Sequence, residues 1–295
     1  MSKGYAVILA GYVGWGLFPL YWVLLRHVPA FEVLLHRMLW AAPVLLLLVL
    51  FSERRRTQVK LALRAWSELK WLALSGLVVS FNWGIYIWAV ANERVVEASM
   101  GYFLTPLLNV LSGVLLFHER LTRINLLAIL CAAAGVAYYF ATSVVLPWVA
   151  LMVGASFALY GALRKNMATN AVPGLFIEIL LLLPFTLALI LWLHLQGEAM
   201  FLQHSRLTDF WLLLAGPVTV LPLAFFTAGS RMLPMTTVGI LFYVTPSLQF
   251  FCGLALLGEA FDSNKLIGFL GIWVGLASFS YGLLKNRNAR AEECV

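Results

Sequence analysis

One stretch of this chain occurs twice, and the second copy limits what the first can be. Val95 to Leu121 is apolar and broken by Thr105-Pro106, while Met235 to Phe261 is apolar and broken by Thr245-Pro246. At a constant offset of 140, Thr105, Pro106, Leu108, Gly113, Leu116 and Glu119 fall on Thr245, Pro246, Leu248, Gly253, Leu256 and Glu259 without a gap. The same offset carries Trp71, Gly76 and Val78 onto Trp211, Gly216 and Val218, and Gly135 and Ala137 onto Gly275 and Ala277. Leucine matches mean little in so Leu-rich a chain, so the Trp, Thr-Pro, Gly and Glu coincidences carry the weight. The chain is an internal duplication, and any fold must accommodate one unit twice.

That unit belongs in lipid. Of 295 residues, 62% are apolar and only 11% charged, and the mean hydropathy is +0.91. A soluble domain does not reach these values. A spanning helix needs about 20 mostly apolar residues to cross about 30 Å of hydrocarbon. Ten such segments can be marked, at roughly 5–25, 31–51, 71–91, 95–117, 121–141, 147–165, 173–195, 210–230, 236–257 and 265–284. The expectation is an all-α membrane protein of ten transmembrane helices.

A net charge of +7 does not point to nucleic acid, because the basic residues sort by side of the membrane. With the N-terminus inside, fifteen Lys and Arg fall on inner segments and four, Arg26, Arg94, Arg206 and Lys265, on outer ones, with Arg37 inside a span. This positive-inside bias places both termini in the cytoplasm. Cys131, Cys252 and Cys294 show no paired or metal-ligand spacing. The first apolar segment follows only Lys3 and has no small-residue cleavage site before Pro29, so it reads as a retained helix.

The first span carries Phe18-Pro19-Leu20-Tyr21 and the sixth Phe157-Ala158-Leu159-Tyr160, so the halves begin at the first and sixth helices. Their extents are 1–141 and 147–285, followed by a cytoplasmic tail, 286–295. Five helices is an odd number, so the second half enters the membrane from the opposite side. The expected architecture is two inverted five-helix repeats, a topology that places a transport site at the repeat interface. Between the second and third spans, Val59, Ala62, Leu63, Trp66 and Leu69 recur at helical spacing against a basic face. This amphipathic connection is expected to lie on anionic lipid at the inner leaflet.

Pro106 and Pro246 lie about 15 Å into their spans, near the midplane. Each removes a backbone hydrogen bond and crowds the carbonyl four residues earlier, here Tyr102 and Phe242. Paired Pro-interrupted segments point to a binding cavity. Glu119 and Glu259, each followed by an N-cap residue, Thr122 or Asp262, are expected to fasten tight turns rather than carry protons.

Ionisable groups within spans are functional candidates because isolating them there costs several kcal/mol. His36 and Arg37 lie in the second span and Glu178 in the seventh. Depth favours pairing Arg37 with Glu97 near the outer gate and Glu178 with Arg231 near the inner one. These five residues form the expected coupling and gating set. The expected solute wall is aromatic with a few uncharged hydrogen-bonding groups. It comprises Trp15, Phe18, Tyr21, Asn82, Trp83, Tyr86, Tyr102, Thr105, Asn109, Tyr160, Phe242, Tyr243, Thr245 and Gln249. Such a wall suits a small, partly apolar, zwitterionic or aromatic solute.

Asn92-Glu93-Arg94-Val95-Val96-Glu97-Ala98-Ser99 running into Gly101-Tyr102-Phe103 resembles the RarD branch of the EamA family, in the drug/metabolite transporter superfamily. Glu32 to Trp40, Phe157 to Lys165 and Phe242 to Glu259 carry the same resemblance. It covers nearly the whole chain and implies a ten-helix inverted-repeat carrier of the bacterial inner membrane with a central cavity. Related carriers move amino acids and other metabolites.

No P-loop, metal cluster or HExxH pattern is present in the sequence, so no cofactor is expected and neither ATP-driven pumping nor zinc chemistry is supported. The expected function is secondary transport by alternating access, not enzymatic catalysis, with proton coupling through Glu178 or His36. The alternatives are a membrane-embedded enzyme, which needs facing polar groups at one interface, and a non-transporting helper subunit. Gly271 and Gly275 form a GxxxG pair through which the last helix could pack a second copy.

Overall fold

The computed structural model describes residues 2–117, 123–143, 146–165, 167–233, 237–238, 241–260 and, in part, 266–277; within 106–132 many side chains are not described. The described chain is helical throughout. Its elements are α1 (Ser2–Gly16), α2 (Phe18–Trp22), α3 (Ala30–Leu50), α4 (Glu53–Arg64), α5 (Trp66–Ala91), α6 (Val95–Phe117), α7 (Arg123–Thr142), α8 (Trp148–Lys165), α9 (Ala171–Gln196), α10 (Arg206–Ser230) and α11 (Val244–Phe251). Residues described between 266 and 277 are also helical.

By length and apolarity, α3, α5, α9 and α10 can each cross a membrane, and a bent pair, Lys3–Gly16 with Phe18–Leu25, adds a fifth at a 42° kink. The kink falls at Leu17, just before Pro19 of α2. Proline there has no N–H to lose to a continuous helix and sits near the start of the new one. Local chemistry also sets other ends. Ser205 caps α10 by accepting the Thr208 N–H at 3.1 Å, and Gly197 closes α9 in the left-handed region at φ 74°, which glycine adopts without a Cβ clash.

The Thr-Pro pair has different outcomes in its two copies. α6 runs helical from Val95 to Phe117, straight through position 106. The later segment breaks at Phe242 and Tyr243 before α11 begins, and α11 passes into a π-helical turn, Cys252–Leu256. The Phe242 carbonyl, expected to be free, accepts the Thr245 N–H at 3.0 Å. A tight i to i+3 bond thus repairs the loss that Pro246 causes. The Pro106 side chain lies outside the described residues.

Helices of the first half pack mainly on helices of the second. α6 lies against α8 and α11 against α1; α5 lies against α8 and α1 against α10; α5 meets α9 and α10 meets α3; α3 crosses α9 and α6 crosses α11. The duplicated glycines mark two of these contacts, α5 with α9 and α10 with α3. A Cβ on Gly76 would meet Glu178 of α9 at 3.2 Å, and one on Gly216 would meet the Trp40 backbone of α3 at 2.1 Å. Only hydrogen fits at the second contact.

The amphipathic connection forms α4 as expected. Its contacts are only partly those of a lipid-lying helix. Val59 and Ala62 are buried beside Val172 and Phe176 of α9, while Leu61, Leu63 and neighbouring Trp66 are exposed. Gly271 of the last helix abuts the Gly135 backbone of α7, within 3.0 Å of where its own Cβ would lie. That small-residue contact is made inside one chain. Gly275, Glu119 and the tail, 286–295, lie outside the described residues.

Candidate functional site

Exposure along α8 separates a lipid-type face from an inner one. Met152, Ala155 and Leu159 form an exposed stripe, whereas Phe157, Tyr160 and Arg164, on the other side of the helix, are half-buried. Residues three and four apart share a face, so this second stripe runs from the middle of the bundle to one end.

Its middle is aromatic and joins both halves. Tyr86 meets Tyr102 at 5.7 Å between ring centres, Tyr102 meets Phe157 edge-on at 5.5 Å, and Phe157 stacks on Phe242 at 6.3 Å with planes 8° apart. Phe242 continues to Tyr12 at 5.7 Å, and Tyr12 and Trp15 both touch Phe226. Offset and edge-on pairs of this kind stabilise by about 0.5–1.5 kcal/mol each beyond their buried area. Asn82 fixes the wall from behind. Its amide donates to the Val153 carbonyl and Ser156 Oγ, both at 2.9 Å, and its carbonyl accepts from Tyr102 Oη at 3.3 Å.

The stripe ends at a buried carboxylate. Glu178 of α9 accepts from Ser75 Oγ of α5 at 2.6 Å and from Tyr160 Oη of α8 at 3.2 Å, and lies 3.4 Å from Arg164 Nη1. Arg164 also donates to the carbonyls of Thr169 and Asn170. Nearby, Glu68 of the first half accepts the Thr169 N–H at 2.9 Å and its hydroxyl. The expected Glu178–Arg231 pair is not formed. Arg164 of α8 takes that place at 3.4 Å, whereas Arg231 lines a polar cavity of about 190 Å³ with Ser52, Arg54, Arg55, Gln58 and Asn170.

At the opposite end, three carboxylates bind backbone N–H groups of the other half. Glu32 accepts from Met200 at 2.9 Å and 3.0 Å and from Phe201 at 2.9 Å. Glu97 accepts from Val149 at 2.9 Å and pairs with Arg94 at 2.5 Å. Glu259 accepts from Val95 and Val96 at 2.6 Å and 2.8 Å. A carboxylate across a helix N-terminus satisfies orphan donors and meets the favourable end of the dipole. Glu259 therefore fastens α6 of the other half instead of its own turn.

The expected Arg37–Glu97 pair is also absent, because Arg94, three residues before Glu97 and immediately preceding α6, takes Glu97 first. Arg37 is buried and lies against rings instead, 3.9 Å from the centre of Trp83, 5.1 Å from Trp22 and 5.7 Å from Phe18. His36, next to it in sequence, is buried elsewhere. It accepts from Trp40 Nε1 at 3.1 Å, stacks near Phe201, and stands 3.9 Å from Glu32.

The remaining expected wall residues divide. Tyr21 packs on Trp22 and Trp211, with its hydroxyl on the Trp211 carbonyl. Thr105 bonds back to Gly101 within α6. Thr245 and Gln249 are buried and donate to the Tyr12 and Trp15 carbonyls at 3.0 Å and 3.1 Å, so they tie α11 to α1 rather than face an opening. Tyr243 packs into a different apolar cluster, with Met100, Phe103 and Phe269. The Asn109 side chain lies outside the described residues. Tyr12, Phe157, Phe226, Glu32 and Arg164 were missed; for Phe157, the repeated Phe-x-Leu-Tyr was the available signal.

Comparison with known proteins identifies the family and the fold. The model of the EamA-like transporter family matches residues 2–141. An uncharacterized transporter of Pseudomonas aeruginosa is 39% identical, covering 95% of this chain and 94% of that protein. The uncharacterized transporter YojE of Bacillus subtilis is 37% identical, covering 98% and 97%. Protein RarD of Escherichia coli is 35% identical, covering 94% and 93%. One solved crystal structure shares the fold, with a TM-score of 0.59 at 18% identity over 94% of this chain and 97% of that one. This multi-pass, all-helical chain belongs to the EamA-like transporter family, in its RarD-like group.

Proposed function

We propose that the chain is a secondary carrier of small, partly apolar metabolites, working by alternating access between two inverted five-helix halves in the bacterial inner membrane, with both termini cytoplasmic. The observation that carries this reading is the exchange pattern of the helix contacts. Shifting by half the chain turns α1 on α10 into α8 on α5, α11 on α1 into α6 on α8, and α10 on α3 into α5 on α9, and each of these pairs is present. Halves that pack reciprocally can rock about the same interface in either direction.

The two polar ends supply the closures for such a motion. Glu32, Glu97 and Glu259 hold one end, and Ser75, Glu178 and Tyr160 hold the other. Between them the aromatic wall from Tyr86 to Phe242 offers a surface for a ring or an apolar chain. Both closures bridge the halves, so opening one need not disturb the wall.

The test is counterflow with the purified chain in proteoliposomes. Vesicles loaded with an unlabelled aromatic or aliphatic metabolite should accumulate the labelled solute transiently and saturably. If no member of a broad amino-acid and organic-acid panel shows counterflow, the carrier reading fails. An imposed pH gradient in the same vesicles tests coupling through Glu178 or His36; unchanged flux removes it.

A further inference from the structure

The Arg37 guanidinium is buried, and no counter-ion faces it among the described residues. Its residue is 3% exposed, and among the described residues no carboxylate lies within ion-pair distance of it. Glu97, the acid best placed by depth, is held by Arg94 and the Val149 N–H. The Arg37 Nε has no hydrogen-bond partner. The ionisable groups that bear on it are the phenols of Tyr21, Tyr86 and Tyr102, which are uncharged at neutral pH.

Among the described residues, two further donors in the core cluster that holds Phe18 and Trp22 are also unpaired. Trp22 Nε1 and Tyr86 Oη, in residues each 2% exposed, have no partner. The Trp22 ring lies 5.1 Å from the guanidinium carbon, and Tyr86 is among the phenols just named. Leaving one buried donor unmet is costly, and leaving an arginine unpaired within a span costs more. Contact with the faces of Trp83, Trp22 and Phe18 offsets part of this. Rings cannot accept the in-plane N–H groups of the guanidinium, which need oxygen lone pairs.

We infer that Arg37, Trp22 Nε1 and Tyr86 Oη form a recognition site for the carboxylate of a small organic monoanion. The proposal rests on the carrier reading and names its solute class. Arginine presents a planar fork that matches a carboxylate. A single cation among phenols suits one negative charge better than the two of a phosphate monoester. The ligand body would meet the aromatic wall, in which Tyr86 leads through Tyr102 and Phe157 to Phe242. The solute is thus an organic carboxylate carrying a ring or an apolar chain.

The test is isothermal titration calorimetry on the full chain in nanodiscs, with phenylacetate, indole-3-acetate and hexanoate, each against its amide. At least one acid should bind at least about tenfold more tightly than its amide, the smallest effect expected for hydrogen bonds to a charged group. Arg37→Met should abolish that preference, and Arg37→Lys should keep only part of it. The ligand-free Tm of Arg37→Met should equal or exceed that of the unmodified chain, because an unpaired buried charge has been removed. No acid preference in any of the three pairs overturns the site, as does an Arg37→Met chain that keeps the preference. A ligand-free Tm that falls clearly in folded Arg37→Met makes Arg37 a packing residue and also overturns it. The carrier reading fails separately: acids that bind but show no counterflow leave this site standing, and counterflow of neutral solutes without acid binding does the reverse.

Discussion

Glu259, at the far end of the α11 segment, places its carboxylate over the start of α6 and accepts the Val95 N–H at 2.6 Å. The Val96 N–H completes the pair at 2.8 Å. The residue that ends one copy of the repeated Thr-Pro segment thereby anchors the beginning of the other.

Replacing Glu259 by Gln should weaken this end of the bundle. The two bonds to Val95 and Val96 use different carboxylate oxygens, so the amide keeps one, as a neutral bond, and faces the other N–H with an NH2 that cannot accept; with the helix-dipole interaction also lost, the cost is about 1–3 kcal/mol. Thermal unfolding in detergent should show a lower Tm, with Glu259→Ala lower still. An unchanged Tm in both would mean that the contact contributes nothing to stability.

The two duplicated glycines should not respond equally to alanine. A Cβ at Gly216 would fall 2.1 Å from the Trp40 carbonyl carbon and oxygen, which are backbone, whereas one at Gly76 would first meet the Glu178 side chain at 3.2 Å. Gly216→Ala must separate α3 from α10 and should lose about 1–3 kcal/mol or more. Gly76→Ala should lose clearly less. Denaturation of the two variants side by side checks the order, and the reverse order would refute the packing argument.

A double-mutant cycle should locate the true partner of Glu178. Arg164 lies 3.4 Å from its carboxylate, and removing one member of a buried pair strands the other. The cycle Arg164→Met with Glu178→Gln should give a coupling of about 1 kcal/mol or more, within the range for contacting residues. The cycle Arg231→Met with Glu178→Gln should give none. Stability measurements on the five variants and the unmodified chain decide it.

Glu32 should control the loop between α9 and α10. Its two oxygens take three hydrogen bonds from the Met200 and Phe201 amides, so Glu32→Ala leaves both donors without their acceptor. Limited proteolysis should then cut at 197–205 faster than in the unmodified chain, while Glu32→Gln, which keeps one acceptor oxygen, should be intermediate. Equal cleavage of all three would show that the loop is held by other contacts.

The site divides along the same line as these contacts. The aromatic wall was foreseen in part because Tyr86, Tyr102, Tyr160 and Phe242 are large, polarisable side chains at mid-depth, where interfacial anchoring does not explain them. Thr245 and Gln249 share that depth and were placed in the wall too, yet both face the α1 backbone. Depth along a helix follows from counting residues; the direction a side chain points depends on the neighbour it meets. The gate pairs failed for a related reason. Arg37 with Glu97 and Glu178 with Arg231 match in depth, but depth is one coordinate of three, and Arg94 and Arg164 are nearer in the other two.

By itself the sequence determined that this chain is helical, that it is a multi-pass membrane protein and that one Thr-Pro-broken apolar segment occurs twice. Apolar length, the sidedness of Lys and Arg, and a constant repeat offset are properties of the chain read along its length. Only the tertiary structure decided which carboxylate meets which backbone end, and that Arg37 lies among rings without an acid. Those outcomes turn on contacts of 3–4 Å between residues tens to hundreds of positions apart, and a hydrogen bond is lost over a shift shorter than one turn of helix.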